Sequence, residues 1–256
     1  MKRILYAIAL LILAPHGHTQ TTDDYFNRMN PLIRGYDGKS EMAGVYYKHG
    51  MAMITDQRYQ DAIDDFSKAI ESDPEYADAY NYRGVAKRRL GSNQEAIEDF
   101  NKALELDPKY AEVYNNRGNA KLDLGDNQGA SDDYTRALEF DRRLADTYHN
   151  RGLARKNLGE TQGAIEDFTT AIKIEHRFAD AFNNRGLAKN DLRDYTGAIE
   201  DFTRAIEIDP GFDMAYANRG VVSITIGQKD SGCADLRKAA SLGNLPAHEA
   251  TIKFCE

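Results

Sequence analysis

Three residue types able to bind or ionise return through this chain at one spacing, 34 residues. Asparagine stands at 116, 150, 184 and 218, with Asn81, Asn115 and Asn183 one place earlier in their own stretches. Arginine stands at Arg83, Arg117, Arg151, Arg185 and Arg219, and aspartate at Asp65, Asp99, Asp133, Asp167, Asp201 and Asp235. A side-chain amide carries both donors and acceptors, so a ladder of amides can pair with the backbone of an extended peptide. A guanidinium on an inner helix face needs a carboxylate, because an unpaired buried charge is costly. The other candidates for chemistry fail. His149 and His176 have no serine or cysteine motif beside them. Glu98 and Asp99 are adjacent on a helix and do not face one another. Neither a glycine-rich phosphate loop nor a paired-cysteine metal spacing is present. We therefore expect no catalytic site, no cofactor and no metal.

The elements that place these residues follow from the period. "YNYRGVAKRRLG", "YNNRGNAKLDLG" and "YHNRGLARKNLG" lie 34 residues apart, followed by "FNNRGLAKNDLR" and, more loosely, "YANRGVVSITIG". The blocks tile residues 43–246 without insertion, as 43–76, 77–110, 111–144, 145–178, 179–212 and 213–246. A period in this range is the mark of a solenoid. Each block reads as two helices. In the third, "AEVYNNRGNAKLDLG" ends at Gly125; in the second, "EAIEDFNKALELDP" is stopped by Pro108. Glycine at a helix end and proline just beyond it are stop signals. The unit is helix A, a turn and helix B.

Small residues set the packing. Position 8 of every block is glycine, position 20 is alanine or glycine, and position 27 is alanine. A mid-helix glycine costs about 1 kcal/mol relative to alanine, so its recurrence predicts close approach of helix B to helix A, with the position-20 residue over the glycine. Large residues fill the seam at position 4 (Tyr46, Tyr80, Tyr114, Tyr148, Phe182, Tyr216) and position 24 (Phe66, Phe100, Tyr134, Phe168, Phe202, Leu236).

This small–large pattern resembles the tetratricopeptide repeat (TPR) family over about four-fifths of the chain, in six tandem copies that keep one register. The resemblance implies an all-α fold, a right-handed superhelical solenoid of six helix-turn-helix repeats plus a C-terminal capping helix over 247–256. It implies that the A helices line a concave surface, with positions 2, 5, 6, 9, 12 and 13 turned toward it. On that basis a groove for a protein or extended peptide is lined by Asn81, Asn115, Asn116, Asn119, Asn150, Lys156, Asn183, Asn184 and Asn218. The other reading of the amides, that they pair with neighbouring helices, stays open, since buried amides are normally satisfied within the protein. Two departures bear on function. Position 7, often leucine in the family, is mostly arginine here, and the carboxylate clamp that grips chaperone C-termini is absent. Position 2 is Asp78, Glu112, Asp146 and Asp180, an acidic row tolerant of basic or neutral ligands and interrupted by Arg88, Arg89 and Lys156. A structural subunit of an envelope assembly, held by its convex face or edges, is the alternative to a peptide binder.

The arginines admit two pairings. Within a block Arg83 would meet Asp99; between blocks it would meet Asp65. The second accounts for His49 in place of arginine in the first block, which has no predecessor; the first accounts for Asp235 in the last. The inter-block ladder is the expectation we carry forward.

The ends add an address. Lys2 and Arg3 precede the apolar run 4–14, which is shorter than the roughly 20 residues of a membrane span. Residues 1–19 read as a signal peptide, with Gly17 and Thr19 before a cut at Gln20; a retained anchor is the alternative. Residues 20–42 break the period and read as a linker. Export would lower the net charge from −8 to −10 by removing Lys2 and Arg3, an acidic excess that argues against nucleic acid as a partner. The only two cysteines, Cys233 and Cys255, fall at the C-terminal end. In a periplasmic or extracellular protein they would form a disulfide, contributing about 3 kcal/mol; two buried thiols are the alternative. The sequence assigns no oligomeric state.

Overall fold

A computed structural model describes residues 39–255, in which thirteen helices and no strand occur. The chain divides into two compact units. The first, through Pro74, contains α1 (Lys39–Thr55) and α2 (Tyr59–Ser72). The second, from Glu75, contains α3 (Ala77–Arg89), α4 (Asn93–Leu106), α5 (Ala111–Asp123), α6 (Asn127–Phe140), α7 (Ala145–Asn157), α8 (Thr161–Ile174), α9 (Ala179–Asp191), α10 (Tyr195–Ile208), α11 (Asp213–Thr225), α12 (Lys229–Ser241) and α13 (Leu245–Cys255). The fold is an all-α helical repeat solenoid, helix A alternating with helix B. Two boundaries differ from those read in the sequence. Helix α1 begins at Lys39, inside the expected linker 20–42. Helix α13 begins at Leu245, ahead of 247, with Pro246 in the first turn, where its missing N–H costs nothing. The signal peptide 1–19 and the rest of the linker lie outside the described residues.

The turn after each A helix is a left-handed closure. Gly91, Gly125, Gly159 and Gly227 have φ of +83°, +80°, +82° and +87°. After α5 the Asp126 N–H reaches back to Lys121 O at 2.9 Å and the Gly125 N–H to Leu122 O at 2.9 Å, the doubled bond of a Schellman end. In the fifth block the same place is Arg193, with φ of 63°. A side chain in that region costs roughly 1–2 kcal/mol. Arg193→Gly is therefore expected to raise stability by about 1 kcal/mol, read as a higher denaturant midpoint at unchanged helix content.

The glycine at position 8 is needed for a different neighbour from the one expected. A Cβ on Gly84, Gly118, Gly152 or Gly186 would lie 2.7 Å from the ring of Phe100, Tyr134, Phe168 or Phe202, the position-24 residue of the same block. The aromatic ring, rather than the position-20 alanine, lies against the glycine. Only in the sixth block does the predicted contact hold. There position 24 is Leu236, and a Cβ on Gly220 would meet the Gly232 carbonyl at 2.9 Å. The small residue lets a whole ring lie against the A-helix backbone, and all five rings are 0% exposed, Phe66 included.

Within the second unit each A helix packs on the B helix after it, α5, α7, α9 and α11 pack also on the B helix before, and successive A helices (α3, α5, α7, α9, α11) touch one another. Successive B helices have no comparable contact among the described residues. The outward faces of the A helices therefore adjoin, and residues at one position of the repeat become neighbours across repeats.

Candidate functional site

Positions 2, 5, 6 and 9 are spaced i, i+3, i+4 and i+7 and so share one face of a helix. On α9 they are Asp180, Asn183, Asn184 and Leu187; on α11 they are Met214, Ala217, Asn218 and Val221. All eight line one cavity of about 420 Å³, closed on its third side by α13. The A-helix face is thus where the predicted residues come together.

The amides are not idle on that face. Each position-6 asparagine reaches back to the preceding repeat. Asn116 Nδ2 donates to Asn81 Oδ1 at 3.0 Å, Asn150 Nδ2 to Asn119 Oδ1 at 3.0 Å and Asn218 Nδ2 to Asn183 Oδ1 at 2.9 Å. Asn184 Nδ2 meets His149 Nε2 at 2.9 Å. His149 stands at position 5, where other blocks carry asparagine, and it acts as the acceptor. Burial pushes its pKa down, a hydrogen bond with Asn150 and the carboxylates of Asp180 and Asp146 acting against that. The ring is therefore neutral at pH 7, and Nδ1–H is left to donate to Asn150 Oδ1 at 3.3 Å. Asn119 Oδ1 also accepts from Tyr134 OH at 2.8 Å, and Asn115 Oδ1 from Thr147 Oγ1 at 2.9 Å. Asn81 and Asn183 are 0% and 4% exposed, whereas the position-6 side chains are half-buried. The expected row exists, but one bond of each of its amides joins repeat to repeat. Lys156 is turned to Asp191 at 3.3 Å, as Arg88 is to Asp123 at 2.8 Å.

The arginine ladder runs within blocks, which corrects the inter-block expectation. Arg151 holds Asp167 with a two-pronged fork, Nε to Oδ2 at 2.9 Å and Nη2 to Oδ1 at 2.7 Å. Arg83 does the same with Asp99, Arg117 with Asp133, Arg185 with Asp201 and Arg219 with Asp235. In the first unit His49 takes this place, 2.5 Å from Asp65. The remaining guanidinium nitrogen does cross to the preceding block, but to position 25: Arg117 Nη1 reaches Asn101, and Arg151, Arg185 and Arg219 reach Thr135, Thr169 and Thr203. Each guanidinium also lies over its position-4 ring, 5.4–5.7 Å from the centroid, a cation–π contact.

A second base per carboxylate escaped the sequence reading. Lys87, Lys121, Arg155 and Lys189 each lie 2.8 Å from the same aspartate as the arginine four residues before them. The signal was available, since residues four apart share a helix face. At the other end of the chain, Cys233 and Cys255 lie with Cα atoms 5.7 Å apart, inside the reach of a disulfide. The described residues hold no group able to bind a metal ion, and no described helix is long and apolar enough to cross a membrane.

Repeated helix pairs with adjoining A faces define a helical-repeat protein. The particular family is set by sequence as well. TPR repeat profiles match residues 56–91, 86–125 and 118–159, and tetratricopeptide repeat profiles match 145–175 and 179–212. The chain belongs to the tetratricopeptide repeat family. Among solved structures it is similar to MamA, at 29% identity and a TM-score of 0.59 over 67% of this chain and 97% of that one. It is similar in fold to YrrB, described as a TPR protein with an unusual peptide-binding site, at 24% identity and a TM-score of 0.62 over 73% of this chain and 96% of that one. PilF of Pseudomonas aeruginosa gives a TM-score of 0.73 at 19% identity over 84% of this chain and 99% of that one. Comparison with curated proteins found no match.

Proposed function

We propose that this chain is a non-catalytic scaffold that holds a protein or extended peptide along its A-helix face, outside the cytoplasm. The observation that carries the reading is the unused half of the amide row. Among the described residues, Oδ1 of Asn116, Asn184 and Asn218 takes no hydrogen bond, although Nδ2 of each is committed to the preceding repeat. Tying down the donor fixes the plane of each amide and presents its acceptor on α5, α9 and α11. An extended backbone needs such fixed partners, and little is asked of its side chains. Preorganised partners also lower the ordering cost of binding.

The test is peptide capture. Dodecamers selected from a random display library on the full chain are expected to bind at least ten-fold more weakly to the Asn150→Ala/Asn184→Ala variant. Because both amides tie repeats together, this variant is also expected to lose about 1–3 kcal/mol for two hydrogen bonds. Binding is therefore compared well below the unfolding temperature. Undiminished binding would place the ligand elsewhere and favour a scaffold held by its convex face or edges.

Export is supported by the charged and apolar start of the chain and by the pairing of Cys233 with Cys255. Protein recovered from the envelope fraction, unfolded without reductant and treated with a thiol reagent, is expected to show no reactive cysteine. Two labelled thiols would remove the bridge and weaken the case for export.

A further inference from the structure

The A-helix face is not uniform, and its C-terminal stretch differs in a way that names a ligand. Asn81 and Asn183 are equivalent residues, both buried, both accepting at Oδ1 from the next repeat's asparagine. For Asn81 the other end of the amide is also satisfied, since Nδ2 donates to Glu112 Oε1 at 3.4 Å. Glu112 is position 2 of the following repeat. After Asn183 that position is Met214, which offers no such acceptor. Nδ2 of Asn183 accordingly has no hydrogen-bond partner among the described residues, although the residue is only 4% exposed and lines the 420 Å³ cavity. The nitrogen is not sealed from solvent, so this free donor is open to an incoming carbonyl from the cavity, which meets a fixed partner there.

The rest of the cavity specifies what accompanies the carbonyl. Met214 and Val221 are 50% and 51% exposed, apolar side chains on one face of α11, and Leu187 of α9 lines the same cavity. Asp180 stands at the lip, exposed, and has no ion pair among the described residues; the same holds for Asp146 one repeat earlier. Lys156, on the preceding A helix, is neutralised already by Asp191.

We propose that this cavity is the specificity subsite of the peptide-binding face: it takes an apolar side chain of an extended peptide, with a lysine or arginine beside it on Asp180, while Asn183 Nδ2 donates to the peptide carbonyl between them. The inference rests on the peptide-binding reading above and adds a sequence preference to it. The third wall, α13, is linked to α12 through Cys255 and Cys233, which holds the cavity closed on that side.

The test uses the full oxidised chain and a random dodecapeptide display library. Selected peptides are expected to pair Leu, Ile, Met or Phe with an adjacent Lys or Arg. Met214→Glu/Val221→Glu, at exposed positions and so neutral for folding, is expected to weaken those peptides at least ten-fold at unchanged helix content. Asp180→Lys is expected to turn selection toward acidic neighbours. In ¹⁵N spectra the Asn183 side-chain amide should shift on titration with a selected peptide. Peptides that shift Asn116 and Asn150 but leave Asn183 in place, and that keep full affinity for the Met214/Val221 variant, would overturn the subsite and leave the broader peptide-binding reading standing. Failure of any peptide to enrich over bare support would overturn both. A monomer–dimer equilibrium abolished by the Met214/Val221 variant, with no peptide bound, would identify a second copy as the occupant and likewise overturn the proposal.

Discussion

Asp167→Ala is expected to cost about 3–5 kcal/mol. Asp167 is 3% exposed and accepts the Arg151 fork at 2.9 and 2.7 Å together with Arg155 Nη1 at 2.8 Å. Removing the carboxylate strands Arg151 against helix α8 and leaves Arg155 only Glu160, at 3.8 Å. Arg151 has further contacts with Thr135 Oγ1 at 3.1 Å and with the Tyr148 ring, but neither is an anion. The damage should also be disproportionate for one block, because Arg151 is a tie from its own repeat to the one before it. A chain whose stability sums repeat and interface terms then loses from both. Chemical denaturation measures the loss. Replacing the pair together, Arg151→Met with Asp167→Leu, is expected to recover most of it, since an apolar pair of similar volume is often as stable as a buried ion pair. A loss below about 1 kcal/mol for Asp167→Ala would mean that the pair behaves as a surface one.

Phe168→Ala is expected to cost a similar amount, about 3–5 kcal/mol. The ring is 0% exposed and packs with Ala164 and Ala188 in one core cluster. Its removal also uncovers the A-helix backbone at Gly152. The partner substitution tests the geometry from the other side. Gly152→Ala gains about 1 kcal/mol in helix propensity but places a methyl 2.7 Å from the Phe168 ring. Overpacking of this kind costs about 1–3 kcal/mol, so the net change is expected to be destabilising. In the Phe168→Ala background the methyl has room, and Gly152→Ala should become stabilising. That reversal of sign is the result to look for in the double-mutant cycle. Gly152→Ala proving neutral in the intact chain would show that the ring yields.

Much of this was legible from the sequence because it repeats. Position 8 is glycine in six blocks, and a destabilising residue kept at one register demands a packing cause. The pattern points to helix B as the cause, and the structure puts the position-24 ring, rather than the position-20 alanine, against the glycine. One-dimensional spacing cannot tell position 20 from position 24 when both lie on the inward stripe of helix B, four residues apart. The basic partners at Lys87, Lys121, Arg155 and Lys189 form an equally regular pattern, four residues after each arginine, but spacing alone does not show that one aspartate takes both cations.

The sequence by itself determined the period, the helix pairs, the seam of alanines and rings, and the pairing of position 7 with position 23. These follow from residue type and helical spacing, which act locally and recur in every block. Only the tertiary structure decided which aspartate each arginine takes, because Asp65 and Asp99 are chemically identical choices for Arg83 until the helices have an orientation. It alone also decided the role of the asparagines. An amide can serve a ligand or a neighbouring repeat with the same atoms. The choice depends on A helices touching A helices, so that position 6 of one repeat comes within 3.0 Å of position 5 or 9 of the one before. The same contact leaves Asn183 short of an acceptor where Met214 replaces the carboxylate, a consequence that no single stretch of the chain contains.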